Sequence, residues 1–426
     1  MGNIRFAMKM LFEDIGQAIF YVVSMTFSIT VIFNIFNVIY NEDFTGPNDE
    51  AYIVFSGIAF IILIVSLLFI AFANLYFIYG KTKELAIAVL SGRSVYKVGG
   101  ILTVQNAVLG IIGITLGLIL GFTTMPIVNK IAYMSLGRSG DTSAFSITGF
   151  TLTIAIIVLQ FIMMILVDMG YVYRREIVDL IREKKIMYER DDRKLKVSNS
   201  LYINIYFLPL LILLLPISIR DKSILYNHGM IISLIGMVGI VRYALPKLIM
   251  KLKLKKYLYE KIKLQSLSNL HYSLRKANYL IVILVVSISL LIKIICQYND
   301  EPQIRTVTIA SYIVVTLLMA ITIIYKVFIE SINRKNSFKQ LKLIGYKNED
   351  IRKIILEEEI YFYGIILGIP LFHMIILLLT NIVAGNIDSG NAILLIGIYL
   401  GAYLLSFIIS VIGYKKIIFD YLREEK

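Results

Sequence analysis

Four ionisable residues interrupt otherwise apolar stretches and are the first candidates for chemistry: Asp168, Arg242, Lys293 and His373. Ionisable groups are costly in hydrocarbon, so at membrane depth they usually pair, bind ions or move protons. Asp168 and Arg242 both lie toward the inner ends of their predicted helices, where a structural ion pair or a charge that reaches the surface explains them as well as a role in substrate binding does. Lys293 can extend its ammonium to the opposite surface, and one histidine supports neither a metal site nor a proton relay.

Catalytic patterns are missing from the sequence. No residues have the spacing of metal ligands, and no nucleophile is paired with a general base. We therefore expect no enzymatic activity, no catalytic residue and no cofactor in this chain.

Two basic segments, residues 81–94 and 334–347, have a shared pattern. Each reads as a short amphipathic helix that ends at a glycine, Gly92 or Gly345. Glycine readily adopts the left-handed conformation that stops a helix. Each glycine is followed thirteen positions later by a polar residue, Gln105 or Glu358 in turn.

The first segment has an apolar face. Leu85 and Val89 are four residues apart and share that face, with Glu84 and Arg93 at its edge. The residues singled out across both segments are Lys83, Glu84, Leu85, Val89, Gly92, Arg93, Phe338, Lys342, Gly345 and Lys347.

Membrane helices are the elements that must position these residues. The chain is 58% hydrophobic with a mean hydropathy of +0.78, far above a soluble domain. Runs of about 20 apolar residues can each cross a bilayer as a helix, which predicts an all-α polytopic membrane protein. Ten such runs occur, at 17–40, 51–79, 101–131, 146–173, 201–219, 230–250, 278–296, 307–328, 355–384 and 391–414.

The net charge of +14 follows the predicted topology. With the loops assigned alternately, 34 of the 43 Lys and Arg residues fall on one side and 4 on the other. Cytoplasmic loops carry such an excess, so both termini are expected in the cytoplasm. The basic balance then needs no nucleic-acid partner.

The chain also repeats a signature at its helical ends. Residues 173–185 and 414–426 match at an offset of 241 positions, which predicts two copies of one module. We expect four, two and four helices in residues 1–185, 186–267 and 268–426, with the two four-helix modules as parallel repeats. The identical pairs are Tyr173/Tyr414, Ile177/Ile418, Asp179/Asp420, Arg182/Arg423, Glu183/Glu424 and Lys185/Lys426.

Two further patterns concern packing. Basic amphipathic segments at 3–9, 269–275 and 251–261 are expected to lie along the inner headgroups, with a solvated basic loop as the alternative for the last. Small residues spaced four apart allow close helix approach, either inside one module or at a sliding seam between modules. They occur at Gly113/Gly117/Gly121, Gly364/Gly368 and Gly397/Gly401.

Residues 81–94 and 334–347 resemble the R-x-x-E-x-x-x-L-x-x-x-G-A-s segment of the FtsX-like permeases, the membrane subunits of certain ABC transporters. The four-two-four layout resembles the ten-helix branch of that family, known for bacitracin-type peptide resistance. That branch has a large extracellular domain between helices seven and eight, where this chain has only residues 297–306. Three positions also depart from the motif: Ala88, Ser337 and Gln105.

The resemblance implies a permease without its own nucleotide-binding domain. Each segment would dock on one cytoplasmic ABC ATPase through the residues singled out above. Two ATPase copies, with their ATP and Mg²⁺, would then serve one chain. The implied substrate is an amphipathic or lipid-linked molecule such as an antimicrobial peptide, handled in a bacterial plasma membrane in contact with lipid. A sensor kinase or a second permease stays open as a further partner.

Two other functions remain open. One is a signalling or mechanotransmission protein that drives a sensor kinase or a cell-wall hydrolase. The other is a secondary transporter with internal repeats. Matching midplane charges in both halves would favour the latter, but the counterpart of Asp168 at the 241 offset is Ile409.

Overall fold

A computed structural model describes residues 11, 15–41, 44, 49–174, 199–214 and 222–424. That part of the chain consists of helices joined by short connections and contains no strand. A π-helical segment, Ile240–Ala244, joins the helices Lys222–Gly239 and Leu245–Lys255. The helices are α1 Ile15–Ile39, α2 Asp49–Gly80, α3 Thr82–Leu90, α4 Val95–Ser135, α5 Ile147–Arg174, α6 Asn199–Leu214, α7 Lys222–Gly239, α8 Leu245–Lys255, α9 Lys261–Gln297, α10 Pro302–Leu343, α11 Asn348–Val383 and α12 Ser389–Glu424.

Nine helical stretches within the described ranges are long and apolar enough to cross a membrane. They coincide with nine of the ten predicted runs, and the chain is a multi-pass helical membrane protein. The remaining run holds α6, whose 16 residues end at Leu214. At about 1.5 Å per residue such a helix spans roughly 24 Å, less than the roughly 30 Å hydrocarbon core. Since residues 215–221 lie outside the described part, a tenth span remains a prediction.

The chain packs as two compact units. Unit 1 is Met1–Arg193 with Asp300–Tyr325, and unit 2 is Lys194–Asn299 with Lys326–Lys426. Helix α10 therefore contributes its first half to unit 1 and its second half to unit 2. The division at 185 and 267 rests on the sequence repeat and remains a prediction. Of the repeated tails, residues 175–185 and 425–426 lie outside the described part, as does the amphipathic segment at 3–9.

In unit 1, α1 and α4 meet along the three-glycine stripe. A Cβ on Gly113, Gly117 or Gly121 would lie within 3 Å of a side chain of α1, so only glycine admits this approach. Hydroxyl groups reinforce the contact, since Thr30 Oγ1 donates to the Gly117 carbonyl at 3.0 Å. These glycines pack helices within one unit, as the first of the two interpretations of the stripe expects.

In unit 2, hydroxyl groups join α11 to α12. The Tyr363 hydroxyl lies 2.7 Å from Ser406 Oγ and 2.7 Å from Ser410 Oγ. Pro370, inside α11, cannot donate to the carbonyl of Ile366 four residues earlier. The Tyr399 hydroxyl donates to that carbonyl at 3.2 Å, which supplies the missing hydrogen bond where water is scarce.

The basic run at 251–261 comprises the end of α8 and a turn that leads into α9. Its position along the headgroups remains a prediction. The apolar stretch continues through the π-helical segment into α8. Between Ile240 and Lys255 the sequence has no glycine and one proline, Pro246. This proline stands in the first turn of α8, where it does not interrupt the helix. Residues 269–275 likewise belong to the long helix α9.

Helix α12 begins beside a short polar cap. The backbone N–H of Asn391 donates to Asp388 Oδ2 at 3.1 Å, and this hydrogen bond lowers the pKa of the Asp388 carboxyl. The preceding helix ends at Gly385, which has a φ of +76°. The end of α11 and the start of α12 are therefore both set by local backbone geometry.

Gly117→Ala tests the close packing of α1 on α4. The new Cβ would lie 2.9 Å from Ile29 Cβ and 3.1 Å from the Thr26 carbonyl oxygen. We expect a destabilisation of about 1–3 kcal/mol, measured as a lower unfolding temperature of the purified protein in detergent. Gly401→Ala is the matched control, because nothing lies within 4 Å of its added Cβ and alanine favours a helix. Equal unfolding temperatures for the two variants would contradict the packing described here.

Candidate functional site

The first predicted docking segment is a separate helix, α3, that begins after a break at Lys81. It ends where Gly92 takes a φ of +86°. The N–H of Gly92 donates to the Val89 carbonyl at 2.9 Å, and that of Arg93 to the Ala88 carbonyl at 3.3 Å. These are the two hydrogen bonds of a Schellman motif, so the predicted glycine stop is present.

The apolar face of α3 turns inward. Leu85, Ala88 and Val89 are buried in a cluster that also contains Ile78 of α2 and Leu102 of α4. Leu85 and Val89 were expected to meet a partner, but their side chains are used to hold α3 against the helices of unit 1. The reason is that α3 is short and can stay ordered only by burying its apolar stripe on neighbouring helices.

The outward face of α3 carries different residues. Ile87 and Leu90 are 66% and 65% exposed. Glu84 is partly exposed and pairs with the buried ammonium of Lys81 at 3.5 Å. Arg93 is half-buried, and Lys83 belongs to α3 although its side chain lies outside the described part. Among the described side chains of α3, the exposed large apolar ones are Ile87 and Leu90, which the periodicity of the segment did not single out.

The second predicted segment is the end of α10 rather than a helix of its own. No glycine interrupts α10 between Pro302 and Leu343, whereas Gly80 precedes the break before α3. The helix ends at Gly345, with a φ of +99°. The N–H of Gly345 donates to the Lys342 carbonyl at 3.1 Å and that of Tyr346 to the Leu341 carbonyl at 3.1 Å.

At this end too, the expected contact residue is buried. Phe338 packs edge-on against Tyr414 of α12, with ring centroids 6.0 Å apart. Lys342 is half-exposed, and Lys347 is exposed at the start of α11. The large apolar side chains that reach the surface are Leu343 at 77% and Ile344 at 73% exposed.

Beneath the end of α10, the guanidinium of Arg334 joins four helices of unit 2. It donates from Nη1 to Glu358 of α11, and from Nη2 to the Asn269 carbonyl of α9 at 3.0 Å and to Ser273 Oγ at 3.2 Å. The Tyr414 hydroxyl of α12 donates to Glu358 Oε2 at 3.3 Å. All five residues except Asn269 are buried.

Three more charges extend this network along α10 and α11. Lys326 Nζ donates to Glu330 Oε2 at 3.1 Å and lies 3.6 Å from the centroid of the Phe362 ring. Ser273 also donates to Glu330. Glu359 is only 2% exposed, and its Oε2 has no hydrogen-bond partner among the described residues. Buried ions of this kind persist only when neighbouring groups compensate them.

Unit 1 contains a polar cluster built mainly from amides. Asn74 Nδ2 of α2 donates to Asp168 Oδ1 at 2.8 Å, and Asn106 Nδ2 of α4 donates to both carboxylate oxygens at 2.8 and 2.9 Å. All three side chains are buried. Asp168 is thus held by two asparagines, so it is satisfied without an arginine partner.

The other predicted intramembrane groups lie apart from these clusters. Arg242, in the π-helical segment, is exposed and stacks 5.5 Å from the centroid of the Tyr243 ring. Lys293 is half-buried. His373 is buried beside Tyr206, and neither ring nitrogen has a hydrogen-bond partner in the described part of the chain.

Sequence reasoning missed most members of both clusters. Asparagine is not ionisable, and the charges of α10 and α11 fall near the ends of apolar runs, where they read as ordinary flanking charges. A count of polar residues inside every predicted helix would have found Asn74, Asn106, Lys326 and Glu359, whereas Glu330 and Arg334 lie beyond the predicted run 307–328. The additional residues are Asn74, Asn106, Asn269, Ser273, Lys326, Glu330, Arg334, Glu359 and Tyr414.

Comparison with known proteins adds no family to this geometry. No protein-family model matches the chain, and no curated protein matches it in sequence. The arrangement defines a helical membrane protein in which four described helix ends are followed by a glycine with positive φ, Gly92 and Gly137 in unit 1 and Gly345 and Gly385 in unit 2.

A double-mutant cycle tests the Arg334–Glu358 pair. Arg334→Met and Glu358→Leu should each destabilise the protein by about 3–5 kcal/mol, because each leaves an uncompensated buried charge. The double variant should lose less than the sum of the two, with a coupling of about 1–3 kcal/mol. The measurement is the unfolding temperature in detergent. Lys353→Met, at an exposed position of the same helix, should change little, and strictly additive losses would show that the pair is not a structural unit.

Proposed function

We propose that the chain is the permease subunit of an ABC transporter, with separate ATPase subunits that dock at the ends of α3 and α10. The observation that carries the proposal is the same helix ending at both places, at an offset of 253 residues between Gly92 and Gly345. Each end has a Schellman motif closed by a glycine with positive φ. The ends of α4 and α11 share this motif at Gly137 and Gly385, so the basic amphipathic segment before the glycine is what distinguishes the ends of α3 and α10. The likeness of both segments to the FtsX-like coupling motif supplies the class of partner.

Side-chain burial supports the same alignment. At the 253 offset, Leu85 corresponds to Phe338, and both are buried against their own unit. Gln105 corresponds to Glu358, and both are buried in the helix that follows the glycine. Leu90 corresponds to Leu343, and both are exposed. Matching inward and outward faces favour two copies of one module, as the sequence repeat predicts.

The exposed apolar residues are the proposed contacts. Large apolar side chains at a helix end, surrounded by polar groups, are typical of protein-binding sites. Ile87 and Leu90 form the contact of unit 1, and Leu343 and Ile344 that of unit 2. Each ATPase subunit would accept one pair in an apolar groove, so one chain would serve an ATPase dimer.

Packing explains how ATP-driven movement of the ATPase reaches the membrane helices. The Leu85 cluster ties α3 to α2, α4 and α5, while α10 runs without a break from its membrane part to Leu343. Displacement of either helix end is therefore transmitted to membrane helices through packed side chains or continuous backbone. The substrate is an amphipathic or lipid-linked molecule, such as an antimicrobial peptide, by analogy with the family.

The docking residues can be tested by placing a charge on the outward face. Leu90→Asp and Leu343→Asp should each insert into the membrane normally and lose the ATPase, because a carboxylate would have to enter an apolar contact. The measurement is ATP hydrolysis by the affinity-purified membrane complex, together with native mass spectrometry. Unchanged chain should carry two ATPase subunits, and each variant should carry fewer.

Two controls separate docking from folding. Leu85→Asp places the charge in the internal cluster and should lower the amount of folded protein. Leu258→Asp changes an exposed leucine in the turn between α8 and α9 and should leave ATPase binding intact. ATPase binding that survives in both outward variants would overturn the assignment of α3 and α10 as docking ends.

The proposed topology has its own test by cysteine labelling. The sole cysteine, Cys296, is buried, so Cys296→Ser provides a background for single new cysteines at exposed positions. A cysteine replacing Asp388 should react with an impermeant maleimide in intact cells, and one replacing Lys256 only after permeabilisation. Reaction of the Lys256 position in intact cells would reverse the proposed orientation.

A further inference from the structure

The turn between α8 and α9 concentrates lysines at the end of a membrane helix. The candidate span Gly229–Lys255 ends within it, so these side chains lie at the membrane surface. We call residues 247–263 the basic hairpin; it contains seven lysines and one acidic residue, Glu260.

Three of the seven lysines have a hydrogen-bond or ion-pair partner among the described residues. Lys247 donates to Asn199 at 3.1 Å, Lys261 pairs with Asp350 at 2.8 Å, and Lys263 pairs with Glu260 at 2.8 Å. The hydrogen bond from Lys263 to Glu260 raises the pKa of that ammonium. These three cations are therefore already neutralised or oriented by the fold.

The other four lysines have no carboxylate partner among the described residues: Lys251, Lys253, Lys255 and Lys256. Three of them are exposed and Lys253 is half-exposed. Four cations within six residues repel one another, and the local sequence offers only Glu260, which Lys263 engages. A negatively charged partner outside the chain would relieve this repulsion.

Exposed apolar residues stand among these lysines. Tyr259 is 97% exposed, and Leu254 and Leu258 are also exposed. The positive-inside rule accounts for lysines on this side but not for large apolar side chains beside them. Cations interleaved with leucine and tyrosine fit a membrane surface, where the ring and the leucines enter the headgroup boundary and the ammonium groups meet phosphates.

We propose that the basic hairpin binds the headgroups of anionic phospholipids in the adjacent leaflet. The four lysines without carboxylate partners provide the charge, and Leu254, Leu258 and Tyr259 provide the insertion. This inference rests on the membrane-spanning role of α7 and α8 and not on ATPase docking, so either proposal can fail without the other.

A single tryptophan makes the inference measurable. The chain contains no tryptophan, so Tyr259→Trp introduces a unique fluorophore at an exposed position. The purified full chain is reconstituted, without any ATPase, into vesicles with symmetrical leaflets. One vesicle sample contains brominated phosphatidylglycerol, and a second contains the same mole fraction of brominated phosphatidylcholine. We expect roughly twofold or stronger quenching by the anionic lipid, with the difference falling at high salt because screening shortens to about 3 Å at 1 M.

Lysine variants in this background identify the cations responsible. Lys251→Gln, Lys253→Gln, Lys255→Gln and Lys256→Gln combined should make quenching by the two lipids equal. The control, Lys261→Gln with Lys263→Gln, should keep the difference, because those lysines are engaged by carboxylates. With all lysines present, equal quenching by the two lipids overturns the inference. An absence of quenching by either lipid also overturns it, because it would place the hairpin in water or on an acidic protein. A preference that persists in the fourfold variant assigns it to other residues and equally rejects the proposal.

Discussion

The buried guanidinium of Arg334 is the constraint on which unit 2 depends. A charge in a low-dielectric interior costs several kcal/mol unless nearby groups compensate it, and here those groups come from α9, α10, α11 and α12. Their side chains reach the guanidinium only when all four helices have the correct register and rotation. The network thus fixes the packing of the unit and, with it, the position of the end of α10.

Unit 1 also compensates its buried charged groups, but a lysine and neutral amides stand where unit 2 has an arginine and a glutamate. Lys81 occupies the position of Arg334 at the 253 offset, and Gln105 that of Glu358. Lys81 pairs with Glu84 of its own helix end, while Asp168 takes its hydrogen bonds from amides. Hydrogen bonds between a carboxylate and neutral amides are less costly to break than a buried ion pair. Under the proposed function, the two docking ends therefore connect differently to their helices: one through a break and a packed cluster, the other through continuous backbone.

Several features of the site could be predicted because they are local. Gly92 and Gly345 stop their helices by backbone conformation alone, which a glycine after an amphipathic run indicates. The direction of the apolar face could not be predicted in the same way. Periodicity shows that Leu85 and Val89 share a face, but a face that docks on a partner and a face that packs on its own unit have the same pattern. Their burial decides for the second.

The sequence by itself determined the class of structure. Long apolar runs must form helices in a membrane, because lipid offers no hydrogen bonds to an open backbone, and the distribution of lysine and arginine predicts their orientation. Only the tertiary structure decided which polar groups meet. Arg334 and Glu358 are 24 residues apart, whereas Asn74 and Asp168 are 94 apart. Such contacts depend on the rotation of packed helices, which follows from the shape of every side chain between them and not from any local pattern.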